Sequence, residues 1–244
     1  MSHIHRFYAS PGTVQSESLA VLQGDEAHHA LHVVRARTGD AVALFDGKGG
    51  EWLGSVSGMG RHEVRVDIAE HRETMPPKSC VTLLQATLNN QKAMEELIRR
   101  CTEIGVRRFV FFPSRHSERR PPRSDKWERI AIEACKQCGR LWLPTFEDAK
   151  DLDAALAAAH GKVFVATQHA NASPIELMPD TNEAALFVGP EGDFTDEEVA
   201  AILKRGAHPL SLGDATYRSE AAAFLASALL LYELGGLGPR GRLA

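Results

Sequence analysis

Two short stretches near the C-terminus carry residue types that ordinary turns do not need. "GPEGDF" (189–194) follows the apolar run "AALFV" (184–188), and "LGDATYRSEAA" (212–222) follows "HPLSL" (208–212). A plain turn uses one glycine or one proline, whereas Gly189-Pro190-Glu191-Gly192-Asp193 contains two glycines, a proline and two carboxylates. Glycine lets a ligand approach the main chain closely, and proline stiffens a loop by fixing φ. A third stretch, "ATQHANASP" (166–174), ends the apolar run "KVFVAT" (162–167). Loops of this kind suit a site whose binding surface is backbone N–H and C=O groups. Arg218 and Glu220 lie in the last of them. They read either as charges at a helix start, where the dipole favours a carboxylate, or as working groups beside that surface.

The elements that position these loops alternate in type. "CVTLLQATL" (80–88) reads as a buried strand, "NQKAMEELIRRCTEIG" (90–105) as a helix closed by Gly105, and "RRFVFF" (107–112) as the next strand. Ser124 is placed to cap a helix running to about Cys138, with Trp127, Ile130, Ala131 and Ala134 on one stripe. "DLDAALAAA" (151–159) is helical, and Thr195 with Glu198 forms a capping box that opens a helix through Arg205. Ser219 opens an Ala- and Leu-rich helix that ends at Gly235-Gly236. Strands alternating with helices predict an α/β domain with a mostly parallel sheet covered on both faces. In such sheets ligands bind beyond the carboxyl ends of the strands. The first strand ends in "QATLNNQK", without the glycine patterns of Rossmann or P-loop proteins. Any nucleotide-like cofactor is therefore expected late in the chain.

Residues before about 72 read differently, as a small β-rich unit. "AVALFDGKGGEWLGSVSGM" (41–59) is a hairpin about Asp46-Gly47-Lys48-Gly49-Gly50, and "HEVRVDIAEH" (62–71) alternates with period two. "GDEAHHALHVVRARTGD" (24–40) is expected to be a short helix running into a strand. "ETMPPKS" (73–79) breaks both patterns and reads as a linker, so the expected domains are 1–72 and 80–244.

Composition excludes several classes. The 244 residues are 43% hydrophobic and 25% charged, as in an ordinary soluble domain, with no apolar run long enough for a membrane helix. The N-terminus lacks the apolar stretch of a secretory signal, and four cysteines are too few for a disulfide scaffold, so the cytoplasm is the expected compartment. Cys135 and Cys138 form a C-x-x-C inside a helix rather than at its start, which argues against a redox pair. His28 and His32 lack a third ligand, and no metal site is expected. Net charge is −4, yet from Arg99 to Arg129 ten Arg or Lys face four Asp or Glu. That run is either a solvated face or a phosphate-binding patch.

The pair "GPEGDF" and "LGDATYRSEAA" resembles the cofactor-binding motifs of the RsmE family, ribosomal small-subunit RNA uridine-N3 methyltransferases of the SPOUT superfamily. The family pattern is roughly G-P-E-G-G-F and L-G-x-R-I-L-R-x-E-T-A. "HVVRARTGD" (32–40) and "FDGKG" (45–49) resemble its N-terminal PUA-like domain; "TEIGV" (102–106) and "EACKQCGR" (133–140) resemble its central segments. The likeness covers essentially the whole chain in order. Asp193 stands where the family usually has glycine, and Asp tolerates a left-handed turn better than most residues. Ala215, Thr216, Tyr217 and Ala221 depart from the pattern, while Arg218 and Glu220 match it.

The resemblance implies a PUA-like β-barrel domain, a SPOUT domain with a trefoil knot, and a homodimer with the active site at the subunit interface. It implies S-adenosylmethionine (SAM) as methyl donor, with Thr167, Gly189, Pro190, Glu191, Gly192, Leu212, Gly213 and Tyr217 as cofactor-binding candidates. Arg218 is the candidate for stabilising a uracil N3 anion, and Glu220 for orienting Arg218 or moving the proton. Glu191 has a second reading, as the cap of a turn. Ribosomal RNA or the small ribosomal subunit is the implied partner, with His29, Arg35, Arg115, Arg119, Arg120, Arg123 and Arg140 as phosphate contacts. Two alternatives stay open: a related SPOUT enzyme acting on another base or on ribose, and a non-catalytic RNA-binding protein with a vestigial pocket.

Overall fold

The computed structural model describes residues 4–117, 126–168 and 181–238. The chain divides into two compact units, one of residues up to Pro76 with Ile132–Leu143, the other of Pro77–Ala131 with the residues from Pro144 onward. Ile132–Leu143, which chain order assigns to the second domain, clusters with the first.

In the first unit β1 (His5–Tyr8), β2 (Val14–Ser16), β3 (Leu19–Gln23), β4 (Ala41–Phe45), β5 (Gly50–Met59) and β6 (Glu63–Glu73) form one sheet. Its order is β1-β4-β5-β6-β3-β2, antiparallel throughout except for β1 beside β4. The β4–β5 hairpin is set by Asp46, whose Oδ1 accepts from the N–H of Lys48 at 2.7 Å and of Gly50 at 3.0 Å. Period-two alternation puts Leu44, Val64 and Val66 in a core with Phe7, Leu22 and Val56. The expected short helix is α1 (Gly24–His28), and it widens into a π-helical turn over His29–Val34 before β4.

The second unit holds β7 (Cys80–Ala86), β8 (Arg108–Phe112), β9 (Thr145–Asp148), β10 (Lys162–Ala166), β11 (Glu183–Val188) and β12 (His208–Leu210), all parallel in the order β12-β10-β11-β7-β8-β9. Its helices are α2 (Gln91–Ile104), α4 (Leu152–Ala158), α5 (Asp196–Lys204) and α6 (Ser219–Glu233); of α3 (Lys126–Cys138) only the part up to Ala131 belongs to this unit. Leu83, Phe109, Phe164 and Leu186 meet Leu97 and Ile98 of α2 and Ala226 and Leu230 of α6. On the other face Leu84, Val110, Val165 and Phe187 meet Leu156 of α4 and Ile202 of α5. Strands buried on both faces read as near-continuous apolar runs, and each buried apolar side chain contributes about 1.5–3 kcal/mol.

Helix ends follow the cap chemistry. Asn90 accepts from the N–H groups of Lys92 and Ala93 at the start of α2, and Gly105 closes that helix. Thr195 and Glu198 make both bonds of the capping box. Ser124 lies outside the described residues. Because all six strands run the same way, their carboxyl ends share one side of the sheet, and β12, β10 and β11 are adjacent there. Among the described residues no helix is long and apolar enough to cross a membrane.

Candidate active site

Beyond the carboxyl ends of β10, β11 and β12 lies a cavity of about 620 Å³. Its walls come from the three stretches singled out by sequence: Ala166–Gln168 after β10, Gly189–Asp193 after β11, and Ser211–Arg218 after β12, with Ser219 and Glu220 from the first turn of α6. All ten cofactor-binding and catalytic candidates line it: Thr167, Gly189, Pro190, Glu191, Gly192, Leu212, Gly213, Tyr217, Arg218 and Glu220. They are as much as 53 residues apart in sequence (220 − 167). Parallel strand direction brings them together. Residues 169–174 of the first loop lie outside the described residues.

The 189–193 loop is a turn closed by the Asp193 N–H donating to the Pro190 carbonyl at 3.1 Å. Its glycine requirement is partly internal. A Cβ on Gly189 would stand 3.0 Å from Asp193 Oδ1 and 3.1 Å from the Phe194 nitrogen, so the loop's own return occupies that space. Gly213 is needed for its φ of +96°. Asp193 is left-handed, with φ +61°, and its Oδ1 accepts from the Phe194 N–H at 2.7 Å. The turn therefore survives without the family's glycine, because a short acceptor side chain compensates locally. Phe194 stacks on Phe112 at 6.2 Å and ties the loop to the core.

Glu191 lines the cavity, but both its carboxylate oxygens are engaged elsewhere. They accept from the N–H of Asn89 at 3.0 and 3.2 Å, and one accepts from Asn90 at 3.1 Å. Those groups precede α2, where unsatisfied N–H groups and the dipole favour a carboxylate. These contacts tie the 189–193 loop to the start of α2.

Sequence reasoning missed the buried polar node behind this wall. Gln85, fully buried on β7, shares its two Nε2 hydrogens among the Gly189 carbonyl at 3.1 Å, the Ser219 hydroxyl at 3.0 Å and the Ala86 carbonyl at 2.9 Å. Ser219 in turn donates to the Gly189 carbonyl at 2.5 Å. One amide thus ties the loop after β11 to the start of α6. An uncharged amide amid "VTLLQAT" was the available signal, since a buried polar group must find partners. Gln85 Oε1 is buried without a partner among the described residues.

Arg218 occupies the cap position of α6 and is exposed at the cavity rim. Its guanidinium has no ion-pair or hydrogen-bond partner among the described residues. Glu220 lies in the first turn of α6, and the two side chains form no ion pair among the described residues. The two are successive residues but one along a helix start, where neighbours at that spacing diverge.

The phosphate-contact candidates are spread over both units. In the first, His29 is half-buried against the edge of Phe7, and its Nδ1 lies 2.6 Å from Lys136 Nζ. An ammonium only donates, so His29 Nδ1 accepts and its proton sits on Nε2. Arg35 is exposed and left-handed, at φ +56°, just after the π-helical turn; Arg140 is half-buried. In the second unit Arg115 is exposed. Arg119, Arg120 and Arg123 lie outside the described residues. Neither Cys135 nor Cys138 is in a disulfide, and no cluster of metal-ligating side chains occurs among the described residues.

Known proteins share this arrangement. Residues 75–231 match a family described as an RNA methyltransferase domain, and residues 22–69 match an RNA methyltransferase PUA domain. The ribosomal RNA small subunit methyltransferase E of Rickettsia conorii is 25% identical over 229 residues, covering 92% of this chain and 93% of that one. Its Synechocystis namesake is 28% identical over 226 residues, covering 87% and 72%. A methyltransferase from Legionella pneumophila, solved in complex with the bound cofactor SAM, superimposes with a TM-score of 0.83 at 27% identity, over 95% of this chain and 98% of that one. Two domain matches in the right order, one of them spanning more than half the sequence, leave a single assignment: the chain belongs to the RsmE family of RNA methyltransferases.

Proposed function

We propose that this chain transfers a methyl group from SAM to N3 of a uridine in small-subunit ribosomal RNA. The observation that carries the reading is a cavity lined by the loops after β10, β11 and β12, with the Arg218 guanidinium, unpaired among the described residues, at its rim. Its volume, about 620 Å³, lies within the range usual for small-molecule sites. The Legionella structure, described with SAM bound, supports that cofactor for this chain. The names of the curated relatives support small-subunit RNA as substrate.

When bound, SAM supplies an electrophilic methyl carbon on a sulfonium. The chain's part is mostly alignment, because methyl transfer is an in-line displacement. Main-chain groups of Gly189–Gly192 and Leu212–Tyr217, with Thr167, hold the cofactor; Glu191 holds the loop. Uracil N3 attacks well only after losing its proton, which places negative charge on O2 and O4. Arg218, at the rim of the cavity, stabilises that charge electrostatically. Glu220 is the candidate to orient Arg218 or to take the N3 proton on its carboxylate. The target base enters unpaired or flipped, and His29, Arg35, Arg115, Arg119, Arg120, Arg123 and Arg140 hold the flanking phosphates.

The family resemblance also supports a trefoil knot and a homodimer. Exposed Leu229 and Tyr232 on α6 are consistent with a covered face, and light scattering in solution tests the dimer. The reaction is tested by incubating the protein and SAM with unmodified small-subunit RNA and, separately, with small-subunit particles, then mapping methylated nucleosides by mass spectrometry. 3-Methyluridine is the expected product. A methylated ribose or another base would reassign the target. Absence of SAM binding in calorimetry would make the pocket vestigial.

A further inference from the structure

Arg115 lies in a turn that is fastened to the cofactor end of the sheet. The Ser117 N–H donates to the Ser114 carbonyl at 3.1 Å, and the Ser117 hydroxyl donates to the Thr87 carbonyl, beyond β7, at 2.9 Å. The Arg115 N–H donates to Oε1 of Glu198, the capping-box carboxylate of α5, at 2.9 Å. Between them His116 Nδ1 lies 2.9 Å from the Gly192 carbonyl and 3.0 Å from the Asp193 carbonyl. Carbonyl oxygens only accept, so Nδ1 carries a hydrogen and shares it between the two.

Those carbonyls belong to the peptide planes on either side of Asp193, the residue held left-handed in the wall of the cavity. A left-handed L-residue other than glycine needs local compensation. Asp193 Oδ1 supplies part of it through the Phe194 N–H, and the imidazole N–H supplies the rest by fixing both flanking planes. The packing is close as well: a Cβ on Gly192 would stand 3.1 Å from His116 Cβ. On its open side His116 borders a groove of about 630 Å³ with Asn89, Arg115, Ser117 and Glu191.

We infer that His116 is a positioning residue: its Nδ1–H holds the Pro190–Asp193 turn in its cofactor-binding shape and joins that wall to the arginine-bearing loop. The inference rests on the reading of the cavity as a SAM site. It makes Arg115 and the cofactor wall one rigid piece, so a phosphate at Arg115 keeps a fixed distance from the methyl donor. No part of this role requires His116 to touch substrate or cofactor.

Two variants separate the hydrogen bond from the bulk of the ring. His116→Leu keeps volume and loses the donor; His116→Asn places an amide N–H near the position of Nδ1. His116 is exposed, so neither change burdens the core. SAM affinity by calorimetry is expected to fall about tenfold in His116→Leu and to stay within about threefold of the parent in His116→Asn, the size of one lost net hydrogen bond. In SAM-free protein, amide exchange at Asp193, measured by NMR, should accelerate in His116→Leu and recover in His116→Asn. Parent-like affinity and exchange in His116→Leu, or failure of His116→Asn to recover either, would overturn the inference. If the parent itself fails to bind SAM, the cavity reading falls, while the exchange measurement still judges the His116 contact alone.

Discussion

Replacing Ser219 by alanine tests the node that joins the cofactor loop to α6. Ser219 is 7% exposed, and its hydroxyl stands between two partners, donating to the Gly189 carbonyl at 2.5 Å and accepting from Gln85 Nε2 at 3.0 Å. Its removal deletes both bonds but leaves neither partner bare. The Gly189 carbonyl keeps Gln85 at 3.1 Å, and Gln85 keeps the Ala86 carbonyl at 2.9 Å. The cost is therefore the net worth of two hydrogen bonds, about 2 kcal/mol, and not the larger penalty of an orphaned buried group. Alanine's better helix propensity offsets about 0.5 kcal/mol at most. At about 2–4 °C per kcal/mol for a protein of this size, Tm in differential scanning calorimetry should fall by about 3–8 °C. SAM affinity should weaken in the same variant, since the wall of the cavity loses an anchor. An unchanged Tm would refute the reasoning, because two buried hydrogen bonds cannot vanish without trace unless they contribute nothing.

Arg218→Ala should lower kcat by about a hundredfold while leaving the SAM Kd nearly unchanged, as expected of a group that acts on the transition-state charge; normal turnover would end that assignment. Burial pushes the Cys101 thiol above its ordinary range, whereas Cys138 is exposed. A thiol reagent at about pH 8 should therefore modify Cys138 promptly and Cys101 only on unfolding, as read by peptide mass spectrometry. Hydrogen bonds from Arg108 at 2.6 and 2.7 Å hold the Glu147 carboxyl below the usual carboxylate range. A depressed folded-state value contributes stability above the ordinary carboxylate range and loses it as pH falls through the lowered value. Glu147→Gln should accordingly flatten the acid limb of stability below about pH 4.5, read by denaturant titration at several pH values; the pair is partly exposed, so the effect is small.

Much of this architecture was legible in residue order because its causes are local. Apolar runs marked β7, β8, β10 and β11, and Asn90, Gly105 and the Thr195–Glu198 box sit at helix ends that the chain states directly. β9 was not legible: "TFED" is short, polar and at the sheet edge, where one face meets solvent and only Phe146 joins the core. The π-helical turn at His29–Val34 was hidden for a related reason, since it differs from an α-helix by one residue of winding and leaves the same apolar spacing. Membership of Ile132–Leu143 in the first unit follows from packing between segments far apart in the chain, which no local pattern records.

The candidate site divides along the same line. Gly189, Gly192, Gly213 and Arg218 were visible because turn chemistry and a lone cation at a helix start have composition as their signature. Residue order alone determined that three late loops, rich in bare main chain, follow core strands. Only the tertiary structure decided that parallel strand direction gathers them round one cavity, that Glu191 answers the N–H groups before α2, and that Gln85, Ser219 and His116 hold the wall from behind. The reason is range. Backbone preference acts over a few neighbours, while a hydrogen bond between residues 85 and 189 exists only once the sheet has closed the distance.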